Sequence, residues 1–444
     1  MNKIYKRICL LCILFFVISS TSCQIKKSQN DDFIIEQKNG EMILVKYKGK
    51  GGNVKIPKGV TTIGEEAFDT PFHKHTNLKS LSIPNSVTHI GKQAFFGCKN
   101  LINITIPNSV TYIGKEAFKY CESITNIVIP NSVIYIGEGA FSFCKSITNI
   151  TLPNNITCIE KDLFLRCESI TNIVIPININ KISDGAFCGC ISLTNITIPD
   201  SVTHIGERSF SYCENLTSIT IPNNLKSLKD STFKGCTSLI NIKIPKNITS
   251  IEDYALSECD SLTNIDVEDG NPNYLSIDGV LFTKDKKTLI QFPPSKEVNT
   301  YIIPKGVEKI GDASFINCKR LTSITIPNTV ISIGIRAFSL CTSLTSITIP
   351  NTVTSIGLHA FLHCTDLANV TISNGNTIMY ISGFAFNGCI NLESIIIPNN
   401  IRMIDDGGGI FFPDCPKLTI YGHKGSYIEN FLKKLNVPIP FKAI

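Results

Sequence analysis

The residues in this chain most able to do chemistry are its 18 cysteines. Thirteen of them fall in one slot of a recurring pattern: Cys98, Cys121, Cys144, Cys167, Cys190, Cys213, Cys236, Cys259, Cys318, Cys341, Cys364, Cys389 and Cys415. Thiols at this density could form disulfides or bind zinc. The spacing argues against both. If each turn of the pattern stacks on the next, equivalent positions lie about 4.8 Å apart with parallel Cα to Cβ vectors, whereas a disulfide needs convergent Cβ atoms near 3.8 Å. A straight line of thiols cannot surround one ion tetrahedrally. A free cysteine is a small buried hydrophobe with a weak donor, so the column is expected to pack inside, reduced. Cys158 and Cys188 lie off the slot and are candidates for exposure.

The histidines offer less. His73-x-His75 sits in a stretch, DTPFHKHTN, where the pattern gains four residues and His75 takes the cysteine slot. His359 and His363 are four apart. The first pair lies in a loop with no nearby acid or thiol and the second lacks the glutamate of a zinc-hydrolase helix, so solvated side chains are expected and no metal. No GxSxG or Walker-type sequence occurs, and DDGGG at 405–409 lacks the lysine and helix start of a phosphate cradle. Neither catalysis nor a cofactor is expected.

These residues are positioned by a repeat that can be written I-P-x-x-V-x-x-I-G-x-x-A-F-x-x-C-x-x-L-x-x-I-x. Its Ala-Phe position recurs 14 times, counting substitutions such as Leu163-Phe164 and Ser209-Phe210. A period of 20 to 29 residues with Leu-x-x-Ile-x-Ile predicts a leucine-rich solenoid in which one short strand per repeat stacks in parallel on the next. Alternation sends Ile127 and Ile129 into the core and Asn126 and Val128 outward. Pro130 cannot donate to a ladder, so it ends the strand and starts a turn. The glycine after the second Ile, as at 91, 114 and 137, suggests a turn with positive φ, yet Glu160, Ser183, Lys229, Glu252, Ser382 and Asp405 take that slot, so the turn tolerates a side chain.

The array spans 57–264 and 304–420. Residues 265–303 interrupt it, with VLF and TLIQF on either side of TKDKK predicting a β-hairpin that projects from the stack. Asn39-Gly40 between two strand-like runs predicts a hairpin cap over 33–56. Ser426 as N-cap, Glu429 three residues on and Pro438 beyond predict one amphipathic helix in a C-terminal cap over 421–444.

The first 22 residues read as an export signal. MNKIYKR is basic, ICLLCILFFVI is an apolar run too short to span as a mature helix, and SSTSC follows. The arrangement resembles a bacterial lipoprotein signal, which implies lipidation of Cys23 and a polar tether over 23–32. Ser20 stands where that pattern has leucine, so ordinary cleavage after Ser22 stays open. The formal charge of +6 includes three cations in this segment, and the +3 that remains does not point to nucleic acid or an anionic membrane face.

The rung IPNSVTYIGKEAFKYC, the stretch KYKGKGGNVKIPKGVTTIGEEAF, the interruption NPNYLSIDGVLFTKDKKTLIQFPP and the exit CPKLTIYGHKGSYIENF together resemble the BspA-type leucine-rich-repeat family of bacterial surface proteins, from Phe33 onward. The resemblance implies a right-handed, curved solenoid on the bacterial outer surface or in the periplasm. It would bind host matrix proteins, host cells or other microbes, with no shared catalytic residues. A monomer held to the membrane only through its N-terminal lipid is expected.

The candidate binding columns come from the repeat itself. Asn103, Asn126, Asn149 and Asn195 face outward in one, and Thr105, Thr151 and Thr197 in the next. Tyr112 and Tyr135 share a third, flanked by His89, while Tyr120, Phe143 and Tyr212 precede slot cysteines. Aromatic residues are enriched in interface cores and in sugar stacking. A host or microbial surface protein, a glycan, or no specific ligand in a passive envelope layer are the readings these columns leave.

Overall fold

The computed structural model describes residues 24–25, 32–68, 77–375, 379–382, 384–404, 412, 414–435 and 439–444. The export signal, Cys23, His73, His75 and the run 405–409 lie outside them. The protein is a mainly-β solenoid with a 23-residue period, as the register Asn126↔Asn149 shows. It divides into two compact units, Met1–Ile156 and Thr157–Ile444.

Each repeat contributes two strands and not the single one expected. In one rung Asn126–Val128 pairs in parallel with Asn149–Thr151, and Tyr135–Ile136 pairs with Tyr112–Ile113. The second strand is only two residues long, too short to show alternation in the sequence. Val133 N–H donates to Pro130 O at 3.0 Å, closing the turn that proline opens between the two strands.

After the second strand the backbone turns four times in a row, and its N–H groups alternate in direction. Glu116, Phe118 and Tyr120 donate to Glu138, Ala140 and Ser142 of the next rung at 2.8 to 2.9 Å. Ala117, Lys119 and Cys121 instead donate within their own rung. The alternation requires left-handed backbone at Glu116 (φ 54°) and Tyr120 (φ 62°), and the same two places recur in other rungs at Gln93, Arg208 and Tyr212.

The recurring glycine is therefore not where the positive φ lies. Gly91, Gly114 and Gly137 are absent from the left-handed set, which starts two residues later. Their constraint is proximity: a Cβ on Gly114 would sit 2.6 Å from the Gly91 carbonyl carbon, and one on Gly137 2.4 Å from Lys115 N. At these three glycines consecutive rungs touch backbone to backbone, so a side chain would push them apart, whereas the rungs at Glu160, Ser183, Lys229 and Glu252 hold a side chain in the same slot.

The core is a column of phenyl rings beside a column of thiols. Phe68, Phe95, Phe118 and Phe141 stack with centroids 4.9 to 5.3 Å apart in the first unit. In the second unit Phe164, Phe187, Phe210 and Phe233 stack at 5.3 to 5.7 Å, and Phe292, Phe315, Phe338, Phe361 and Phe386 at 5.0 to 5.1 Å. The slot cysteines are buried and free. Thiols within the array donate to the phenylalanine carbonyl of the preceding rung, as Cys121 Sγ does to Phe95 O at 3.2 Å and Cys144 Sγ to Phe118 O at 3.1 Å, whereas Cys318, after the interruption, turns to Ile316 O.

The ends and the interruption are built into this core. Asn39 (φ 51°) and Gly40 (φ 83°) turn Phe33–Lys38 antiparallel onto Glu41–Tyr47, and Tyr47 stacks on Phe68 at 5.0 Å. The expected hairpin forms between Val280–Thr283 and Thr288–Gln291, preceded by a further strand, Tyr274–Ile277. It does not project freely. Thr288–Gln291 runs parallel onto Lys309–Ile310, and Val280, Phe282, Leu289 and Phe292 are buried, because its apolar residues continue the stack's own core.

At the C-terminal end the helix Tyr427–Leu435 follows Ser426, whose hydroxyl accepts the Glu429 N–H at 3.4 Å, while Glu429 Oε2 accepts from Gly425 N–H at 2.6 Å. Beyond the helix, Phe441–Ala443 adds a parallel strand to Thr419–Gly422 that the sequence reading did not contain. Among the described residues no helix is long and apolar enough to cross a membrane.

Candidate binding surfaces

The first-strand columns are exposed as the alternation demands. Asn103 and Thr105 flank buried Ile104, and Asn126 and Val128 flank buried Ile127. Asn149 and Thr151 flank Ile150, and in the second unit Asn195 and Thr197 flank Ile196. Register brings Asn126 beside Asn149, with the Asn149 amide donating to Asn126 Oδ1 at 3.3 Å. Asn103 stands beside Ser80, and Asn195 between Asn172 and Ser218. In the neighbouring column Thr148 Oγ1 donates to Thr125 O at 3.2 Å and Thr194 Oγ1 to Thr171 O at 3.2 Å. Part of this polar surface is thus engaged along the ladder itself.

The aromatic column lies on the second strands of the first unit. His89, Tyr112 and Tyr135 are in register. Tyr112 and Tyr135 stack at 5.0 Å and 16°, and His89 leans on Tyr112 at 5.7 Å. The two tyrosines are 37% and 40% exposed. Stacking covers the ring faces they turn toward each other, so this column presents ring edges and hydroxyls. Tyr120 and Phe143 stack at 4.7 Å in a separate column, each half-buried. Tyr212 of the second unit is exposed.

Two concave places in the second unit were not read from the sequence. A shallow groove of about 400 Å³ lies among Asn172, Val174, Ile177, Asn195, Thr197 and Pro199, where Val174 and Ile177 are 76% and 80% exposed. Ile177 replaces the polar residue that follows proline in other rungs, which was the available signal. A cleft of about 200 Å³ opens where the second-strand ladder is broken, lined by Glu252, Asp253, Tyr254, Tyr274, Lys309 and Asp312 among others. Ser250–Ile251 pairs only with Ser227–Leu228, and Ile251 N–H donates to the Tyr274 hydroxyl at 2.8 Å. Burial and then Asp312 raise the Tyr254 phenol, while a hydrogen bond from Lys229 holds the Glu252 carboxyl down.

The histidine pair of the second unit occupies left-handed backbone at His359 and His363, and burial followed by Arg336 lowers the His359 imidazole. Among the described residues no group of three or more His, Cys, Asp or Glu converges to hold a metal ion.

Paired parallel ladders, a phenylalanine column and a 23-residue coil define a leucine-rich-repeat solenoid. Residues 69–191, 157–288 and 290–419 match the family described as "BspA type Leucine rich repeat region (6 copies)", and the chain belongs to it. A leucine rich cell surface protein of Faecalibacterium prausnitzii is similar at 27% identity and a TM-score of 0.59, covering 96% of this chain and 100% of that one. A leucine-rich repeat protein of Bacteroides ovatus shares the fold at 23% identity and 0.53, covering 95% and 98%. No curated protein matches the sequence. Solenoids of this family are typically non-catalytic binding scaffolds.

Proposed function

We propose that the protein is an exported, surface-displayed adhesin that binds a host matrix or cell-surface protein through its strand columns. The observation that carries this reading is the row of exposed, nearly uncharged side chains on consecutive rungs, Asn103, Asn126 and Asn149 with Thr105 and Thr151 in the first unit, of which Asn126 and Asn149 are in register. A protein ligand meets the same chemistry at each rung, so weak contacts of about 0.5 to 1.5 kcal/mol repeat. The edge-on tyrosines Tyr112 and Tyr135 add hydroxyls and apolar ring edges suited to a protein surface. The cell-surface relative at 27% identity supports display, and export with lipidation at Cys23 would deliver it.

A binding screen on matrix proteins beside a glycan array tests the reading. Against a protein hit, Asn126→Ala should weaken binding less than about tenfold, and Asn103, Asn126 and Asn149 changed together, or Tyr112 with Tyr135, much more. Moderate salt should matter little. Binding only to glycans, or its abolition by substitutions at Lys284 to Lys287 on the hairpin tip, would overturn it. For the anchor, palmitate labelling should be lost and membrane partition reduced in Cys23→Ala.

A further inference from the structure

Charge in this protein is concentrated at one end of the first unit. Between Asp32 and Val60 stand six lysines and three acids, a formal +3. That equals the whole formal charge of the chain beyond residue 22, so the repeats themselves are close to neutral. Lys38, Lys48, Lys50, Lys55 and Lys58 are exposed, and none pairs with an acid among the described residues. Some lysines inside the array of the first unit do pair. Lys99 meets Glu122 at 3.1 Å and Lys115 meets Glu138 at 3.0 Å, each from a neighbouring rung.

The topology puts these five lysines in the terminal layer. Gly52–Lys55 is the end strand of the first-strand ladder, bonded only to Leu78–Ser82. Gln24–Ile25 is the end strand of the other ladder, antiparallel to Phe33–Lys38 with Gln24 opposite Gln37. Gln24 and Ile25, which follow the candidate lipidation site in the sequence, therefore lie in the layer that carries the lysines.

We propose that this terminal layer is a membrane-docking face that binds anionic phospholipid headgroups. Ammonium groups a few residues apart that make no ion pair, and that outnumber the acids Asp32, Glu36 and Glu41 of the same stretch, attract a negatively charged surface within a Debye length of about 8 Å. The attraction depends on local density, so it is present although the net charge of the whole chain is small. It does not require the lipid at Cys23. With that lipid it supplies the second signal that stable anchoring needs.

The test is flotation of the full chain, carrying Cys23→Ala, with vesicles of phosphatidylcholine alone or mixed with phosphatidylglycerol. The apolar leader raises both arms alike, so the difference between them is the readout. More protein should float with the anionic vesicles, and the difference should vanish in about 0.5 M salt. Lys48→Gln, Lys50→Gln and Lys55→Gln together should weaken anionic binding about a hundredfold, and Lys58→Gln alone about fivefold. Lys115→Gln, whose partner is Glu138, should change nothing. Equal flotation with both vesicles, or no response to the triple variant, would overturn the proposal. Retention on heparin without preference for anionic vesicles would overturn it in favour of a sulfated polysaccharide.

Discussion

The inner and outer columns of the first unit repeat with the same period and from the same rungs, yet they are held by different forces. Inside, Phe118 is wedged between Phe95 and Phe141 at 5.1 and 5.3 Å, and the carbonyl of Phe118 accepts the Cys144 thiol. Outside, Asn126 touches Asn149 through one amide hydrogen bond of 3.3 Å in solvent. Packing dictates the first repetition and only tolerates the second. A recurring residue on the outside is therefore better evidence of a selected surface than a recurring residue on the inside, because nothing in the stack requires it.

The difference is broken most forcefully by alkali. Burial lifts the Cys236 thiol to about 12, and it lifts Cys121, Cys190, Cys213 and Cys259 well above the ordinary range. The unfolded chain loses these protons first, so the stabilisation is complete below about pH 8.5 and falls as pH rises toward 12, each thiol removing up to about 1.4 kcal/mol per pH unit. Urea midpoints should drop steeply above about pH 9, and less so in a variant carrying Cys213→Ala and Cys236→Ala. In the folded protein a thiol reagent should find the half-buried Cys158 and Cys188 first, and the slot cysteines only in denaturant.

Next in size, Phe118→Ala should cost about 3 to 5 kcal/mol in urea unfolding, since the neighbouring rungs hold the cavity open. Gly114→Ala should cost about 1 to 3 kcal/mol by overpacking against Gly91. Full tolerance of that change would mean the rungs part easily at this point, and the backbone contact would lose its importance. Asn126→Ala should change stability by no more than about 0.5 kcal/mol. A loss comparable with that of Phe118→Ala would erase the distinction between inside and outside.

Much of this was legible from the residues. Period, the inward Ile, Phe and Cys positions and the Asn39-Gly40 turn follow from side-chain type alone, because hydrophobic spacing and turn chemistry are local. What was not legible depended on how rungs touch. Glycine at 114 looks the same whether it is needed for φ or for room, and only the neighbouring rung decides. The left-handed positions are filled by Glu116, Tyr120 and Phe143, residues that do not advertise positive φ. Phe441–Ala443 joined the ladder across the intervening helix, a pairing no local pattern encodes. That Lys48 and Lys55 make no ion pair among the described residues likewise appears only in the folded end layer.

Every rung in the middle of the first unit hands its successor the same bonds: Phe118 N–H to Ala140 O at 2.8 Å, Tyr120 N–H to Ser142 O at 2.9 Å and the Cys144 thiol to Phe118 O. Removing one whole 23-residue repeat would rejoin like with like, and so would duplicating one, each step changing the stack by about 4.8 Å. Loss or gain of whole repeats therefore lengthens or shortens the molecule while keeping the same kinds of contact between rungs. Ligand reach becomes an inherited variable that natural populations can tune in whole rungs while both ends stay unchanged.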